Sequence, residues 1–229
     1  MDDLITYYDD DTGERVGLSA TEVGDWSAAT SALLVSACGQ RAGGQAAVLL
    51  PPHWQTAVIL LGCWATGVEV SFRGWSTAGL TPAGEMLDVS FVAQHRVGNW
   101  LDDVPAAAYQ FAVRLGSSSP TPPGYDDFES SVRPWLGASP PPAQVDPRGR
   151  ATVTGETYGE YGAFAAGVAE MQGIRRGDRV LVDAASTEQP LMWLLAPLSV
   201  GASVVLCANL DRSRLDSRIT SEHVTRVFG

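Results

Sequence analysis

One pattern occurs twice in this chain and limits the folds open to it. Ala47-Val48-Leu49-Leu50 reads as a buried strand, and a helix containing Leu60-Leu61-Gly62-Cys63-Trp64 follows it. That helix stops at Gly67, before Val68-Glu69-Val70. Further on, Arg179-Val180-Leu181-Val182 leads to Met192-Trp193-Leu194-Leu195, then Gly201, then Ala202-Ser203-Val204-Val205. The offset is 132 from Val48 to Val180 and 134 from Gly67 to Gly201. Strand, apolar helix, glycine and strand is the signature of a βαβ unit, whose strands are parallel and covered by helices. Two copies predict an α/β protein of two similar βαβ-type subdomains with mainly parallel sheets.

Other local signals fill in the rest. Ile5 to Tyr8 and Arg15 to Leu18 flank Asp11-Thr12-Gly13, which has the chemistry of a hairpin turn. Ser19 and Glu22 have capping-box spacing and open an amphipathic helix to about Cys38. Strands are expected over Ala46 to Leu50, Val68 to Phe72 and Val89 to Ala93, with a helix from His53 to Thr66. Short helical pieces are expected around Pro82 to Met86 and from Asn99 to Asp103. Between Gly116 and Gly149 the alternation lapses, and eight of the fourteen prolines fall there. This stretch reads as an extended connection with a short helix at Asp126 to Trp135. The expected division is a first α/β subdomain with its hairpin at 1–115, a Pro/Ser-rich connection at 116–149 and a second α/β subdomain at 150–229. In the second, Thr157 and Glu160 open a helix to about Met171, and Gln189 to Ser199 form another.

Composition excludes several chemistries. The chain has fifteen arginines and no lysine, so no Schiff base, P-loop lysine or lysine anchor for a carboxylate is available. The net charge of -11, with arginines single or in pairs, argues against nucleic acid as a partner. Cys38, Cys63 and Cys207 lack metal or CxxC spacing and read as buried structural thiols. His53, His95 and His223 lack ligand spacing, and His53 at a helix start reads as a capping or surface residue. Neither a catalytic residue nor a metal site is assigned. The uncharged run Leu191 to Ala208 is broken by Pro197 and Gly201 and reads as helix, turn and strand, not a membrane span. Met1-Asp2-Asp3 does not resemble a basic signal-peptide start, so a cytoplasmic protein is expected.

Gly173-Ile174-Arg175-Arg176-Gly177-Asp178-Arg179-Val180-Leu181 and Leu194 to Leu206 resemble the N-terminal domain of the AMP-dependent synthetase and ligase superfamily. The segment from the hairpin through Pro51 to Phe72 and Glu222-His223-Val224-Thr225 resemble other parts of that domain. A short, stand-alone actinobacterial group of such proteins is the nearest likeness. The resemblance implies ATP or AMP as ligand and acyl-adenylate formation as activity. Where the family has a glycine-rich phosphate loop and a lysine, this chain has Ala151-Thr152-Val153-Thr154-Gly155-Glu156-Thr157, with an acidic residue where phosphates would lie. Thr152, Thr154 and Gly155 are the candidate nucleotide-binding remnant, and Thr157 reads first as a helix cap. The likeness stops short of the family's later elements, so the chain reads as truncated. The expectation is a catalytically incomplete pseudoenzyme acting as a binding or interaction module for a small acyl or nucleotide ligand, a homodimer mate or a protein partner. The alternative is a subunit of an active enzyme completed by a partner chain. The apolar Val224, Val227 and Phe228 near the end make self-association an expectation as well.

Overall fold

A computed structural model describes residues 3–72, 86–98, 104–116, 119–138 and 145–228. They form a mixed α/β protein with two five-stranded sheets, both dominated by parallel pairs. The helical pieces expected around Pro82 to Met86 and at 99–103 lie outside the described residues, except for Met86, which is in no helix. The chain forms two compact units: residues 1–23, 52–57 and 159–229, and residues 24–51 and 58–158.

In the first unit the sheet order is β10-β8-β9-β1-β2. The antiparallel hairpin is β1 (Ile5–Asp9) and β2 (Glu14–Leu18). With it go β8 (Arg179–Asp183), β9 (Ser203–Ala208) and β10 (Arg226–Phe228). In the second unit the order is β4-β3-β5-β6-β7. Its strands are β3 (Gln45–Leu49), β4 (Glu69–Phe72), β5 (Leu87–Ala93), β6 (Ala107–Val113) and β7 (Asp126–Asp127).

Two expectations about organisation need correction. The hairpin was grouped with the first half of the chain, but β1 pairs in parallel with β9, Ile5 opposite Val204. Strand β9 carries the apolar run Val204-Val205-Leu206 and needs a partner on both sides; Ile5 and Tyr7, both buried, supply the second. Nor is 116–149 only a connection. Its strand β7 pairs with β6, and the helix α3 (Phe128–Val132) buries Phe128 and Val132 in the second unit. Phe128 meets Phe91 edge-on at 5.7 Å.

The helices follow from local chemistry. Helix α1 (Ala20–Ala32) starts at the expected capping box: the Ser19 N–H donates to the Glu22 carboxylate at 2.8 Å, and the Glu22 N–H donates to the Ser19 hydroxyl at 3.2 Å. A π-helical turn, Leu33–Ala37, extends it. Helix α2 (Trp54–Thr66) buries Ala57 to Leu60 and Cys63, which explains its lack of an amphipathic face. Gly62 lets α1 approach, since a Cβ there would lie 2.6 Å from that of Thr30. Helix α4 (Tyr158–Met171) leads to β8, and a π-helical turn (Leu191–Leu195) continues into α5 (Ala196–Ser199) before β9. Helix α6 (Leu215–Ser221) precedes β10.

The two βαβ copies agree hydrogen bond by hydrogen bond. Gln45 stands opposite Glu69 and Arg179 opposite Ser203, so both residues shift by 134 (179 minus 45, 203 minus 69). Gly43 and Gly177 share a left-handed turn at φ +87° and +84°, and their N–H groups donate to the carbonyls of Gly67 and Gly201. The Val68 N–H reaches the Cys63 carbonyl, and the Ala202 N–H reaches that of Pro197, both at 3.0 Å. The constant offset equates Val48 with Val182, two residues beyond the Val180 pairing expected from sequence. Even the flanking partner repeats: Thr152 bridges Val70 in parallel as Ile5 pairs with Val204.

Candidate functional site

The residues assigned to a phosphate loop form a tight turn in the second unit. Arg150 bridges Thr157 antiparallel, and the Ala151 N–H donates to the Glu156 carbonyl at 2.8 Å. Gly155 sits at φ +111°, a conformation that favours glycine. The structure therefore brings Thr152, Thr154 and Gly155 together, but the two hydroxyl donors are turned onto the turn's own acid. The Thr152 and Thr154 hydroxyls both donate to one oxygen of the Glu156 carboxylate, the second at 2.5 Å. These bonds hold the Glu156 carboxyl below its usual range. An anion already occupies the turn, and it belongs to the protein. The residues present do not fit a triphosphate: the loop's hydroxyls are engaged, its one carboxylate would repel phosphate, and the chain has no lysine.

Beside this turn, at the starts of β3 and β4, lies a cavity of about 510 Å³. Gly67, Glu69, Asp146, Arg148, Arg150 and Tyr158 are among the residues that line it. Glu69 is buried at 6% exposure. Its contacts are long: Arg150 at 3.7 Å and the Gln45 amide at 3.4 Å. The Tyr158 hydroxyl donates to the Trp64 carbonyl at 3.2 Å, and burial pushes its pKa up.

Other titratable groups have structural roles. His53 is buried, not at the surface, although it does cap α2: its Nδ1 accepts the Gln55 N–H at 3.1 Å. Desolvation drives its pKa down to about 3, so it stays neutral. Its ring packs on Tyr7 with centroids 4.2 Å apart. Cys38, Cys63 and Cys207 are buried free thiols, as expected, and desolvation raises each. In the first unit, Glu222 accepts from Arg179 at 2.6 Å, from Arg15 at 3.0 Å and from the Tyr8 hydroxyl. Burial opposes ionisation there, but those donors hold its carboxyl at about 2. Among the described residues no group of three or more His, Cys, Asp or Glu could hold a metal ion, and no helix is long and apolar enough to cross a membrane.

Two parallel-dominated sheets carrying this repeat define the class of the fold, the N-terminal part of adenylate-forming ligases. An acetoacetyl-CoA synthetase from Streptomyces lividans superposes with a TM-score of 0.74 at 18% identity, over 99% of this chain and 39% of that one. The N-terminal domain of FACL13 from Mycobacterium tuberculosis superposes with a TM-score of 0.63 at 15% identity, over 98% of this chain and 58% of that one. The chain thus spans less than two thirds of either solved structure. A TIGR03089 family protein from Mycobacterium tuberculosis (strain ATCC 25618 / H37Rv) is 34% identical over 233 residues, covering 98% of this chain and 90% of the relative. The chain belongs to the TIGR03089 family. No family model matches it.

Proposed function

We propose that this protein is a catalytically incomplete, adenylate-forming-like domain that binds a small acyl or nucleotide ligand, or a partner, without activating it. The observation that carries this reading is the Glu156 carboxylate seated on the Thr152 and Thr154 hydroxyls. Adenylation needs the triphosphate positioned and its developing charge neutralised, and each lost donor costs about 3–4 kcal/mol of transition-state stabilisation. Here the hydroxyls are engaged and lysine is absent. Arg148 and Arg150 line the cavity by the strand starts. The test is ATP–pyrophosphate exchange with fatty, aryl and amino acids. The isolated protein is expected to match the no-enzyme control. Exchange above that control, abolished by substituting a residue of this chain, overturns the reading. Exchange that arises only with a second chain present favours a partner-completed enzyme instead.

A further inference from the structure

We propose that the cavity at the starts of β3 and β4 is a binding site for a small zwitterion, with Glu69 receiving its ammonium group and Arg148 with Arg150 its carboxylate. The inference rests on the binding-module reading and gives that module a site of its own.

The volume of about 510 Å³ falls in the range of small-molecule sites. Three features set the chemistry. The first is Glu69, a carboxylate buried at 6% exposure whose partners sit at 3.7 and 3.4 Å, beyond the distances of good charge-assisted bonds. A buried carboxylate so loosely held has capacity for a further donor, and an ammonium is the donor that compensates its burial best. The second is Arg148, which is exposed and makes no ion pair among the described residues; only its backbone N–H is engaged, by Asp146. Arg150 lines the same cavity, and a guanidinium matches a carboxylate through its planar fork of donors. A ligand bearing only a cation would meet those arginines, and one bearing only an anion would meet Glu69 and Asp146. A zwitterion satisfies both arms. The third is the wall: the Tyr158 ring, Ala42 and Val145 offer apolar surface to the ligand's body.

The corresponding turn of the first unit supplies a control within the molecule. At the 134-residue offset Ser203 replaces Glu69 and Arg179 replaces Gln45, and Arg179 is fully engaged by Asp3, Thr6 and Glu222. The copy whose carboxylate is loosely held is the copy that carries this cavity.

The experiment is calorimetric titration of the full chain with L-phenylalanine, and with phenethylamine and 3-phenylpropionate as its single-charge analogues. L-phenylalanine is expected to saturate, with each analogue at least tenfold weaker. Glu69→Gln is expected to weaken L-phenylalanine at least tenfold and to leave 3-phenylpropionate no weaker. Arg148→Gln, an exposed change that keeps the fold, is expected to weaken L-phenylalanine and 3-phenylpropionate alike but not phenethylamine. Circular dichroism checks that both variants are folded, and Arg148→Gln carries the test alone if Glu69→Gln is not. No saturation by L-phenylalanine, equal binding of either analogue, or affinity indifferent to Arg148→Gln overturns the site. AMP and decanoate titrated in parallel separate the two readings: their binding without that of L-phenylalanine removes the site and keeps the module, whereas pyrophosphate exchange removes the module.

Discussion

The two βαβ copies share a backbone plan and differ in what closes the turn end of their strands. In the copy built on β8 and β9, Arg179 reaches across to Thr6 and Glu222, and Glu222 also takes Arg15 and the Tyr8 hydroxyl. Arg179 and Glu222 there have short charged partners, at 2.6 and 3.0 Å. In the copy built on β3 and β4, the equivalent positions hold Gln45 and Glu69, and among the described residues the Glu69 carboxylate has long contacts, at 3.4 and 3.7 Å, beside a cavity. One duplicated frame thus carries a closed polar network in one unit and an open, part-satisfied one in the other. The frame gives stability; the side chains hung on it decide whether an end is sealed or left open.

That contrast sets the size of several effects. Glu222→Gln leaves the Arg179 guanidinium, whose side chain is 13% exposed, without its charge partner. A cost of about 3 kcal/mol in denaturant unfolding is expected, against less than about 1 kcal/mol for Arg150→Gln at the open end, where the arginine is 55% exposed. Equal costs would break the comparison.

The next effect in size concerns the glycines that end each helix. Gly67→Ala must adopt φ +82° and place its Cβ 2.9 Å from that of Ala42, whereas Gly201→Ala at φ +76° meets only the flexible Arg176 side chain at 3.5 Å. About 2 kcal/mol is expected for the first and about 1 kcal/mol for the second, by thermal or chemical unfolding. The reverse order would show that the two turns are not equivalent.

Acid should act in two windows. His53 has its pKa depressed to about 3 by burial, so its neutral form favours folding above the unfolded value near 6.5. That contribution is lost as pH falls from about 6.5 towards 3. Glu222, held at about 2, contributes above its unfolded value near 4.5 and loses that contribution as pH falls towards 2. Thermal midpoints measured from pH 7 to 4 should decline, and His53→Gln should flatten the part between pH 6.5 and 4.5. A decline in that interval unchanged by His53→Gln would assign it elsewhere. A local effect is expected at the capping box, where Ser19→Ala should cost about 1 kcal/mol in unfolding measurements.

Much of this frame was legible in the sequence. The strand–helix–glycine–strand repeat, the hairpin turn and the Ser19–Glu22 cap rest on neighbours in the chain, and local rules read them. What the sequence did not disclose is nonlocal. Strand β6 opens with Ala107-Ala108 and includes Gln110, so its apolar signal is diluted; it exists because β5 needs a second partner. The pairing of β1 with β9 joins residues about two hundred positions apart. The cavity draws Glu69 and Arg150 together with no motif to announce them. The Thr152–Thr154–Glu156 turn stands between these cases: the sequence located it and flagged the acid, but only the structure shows the carboxylate taking the hydroxyls itself.

That turn carries the central claim, and ATP titration of the wild-type chain beside Glu156→Gly tests it most directly. The account predicts no saturation of the wild type at millimolar ATP–magnesium, and a measurable gain once the carboxylate is removed. Submillimolar ATP binding by the wild type, unchanged or weakened by Glu156→Gly, would contradict it.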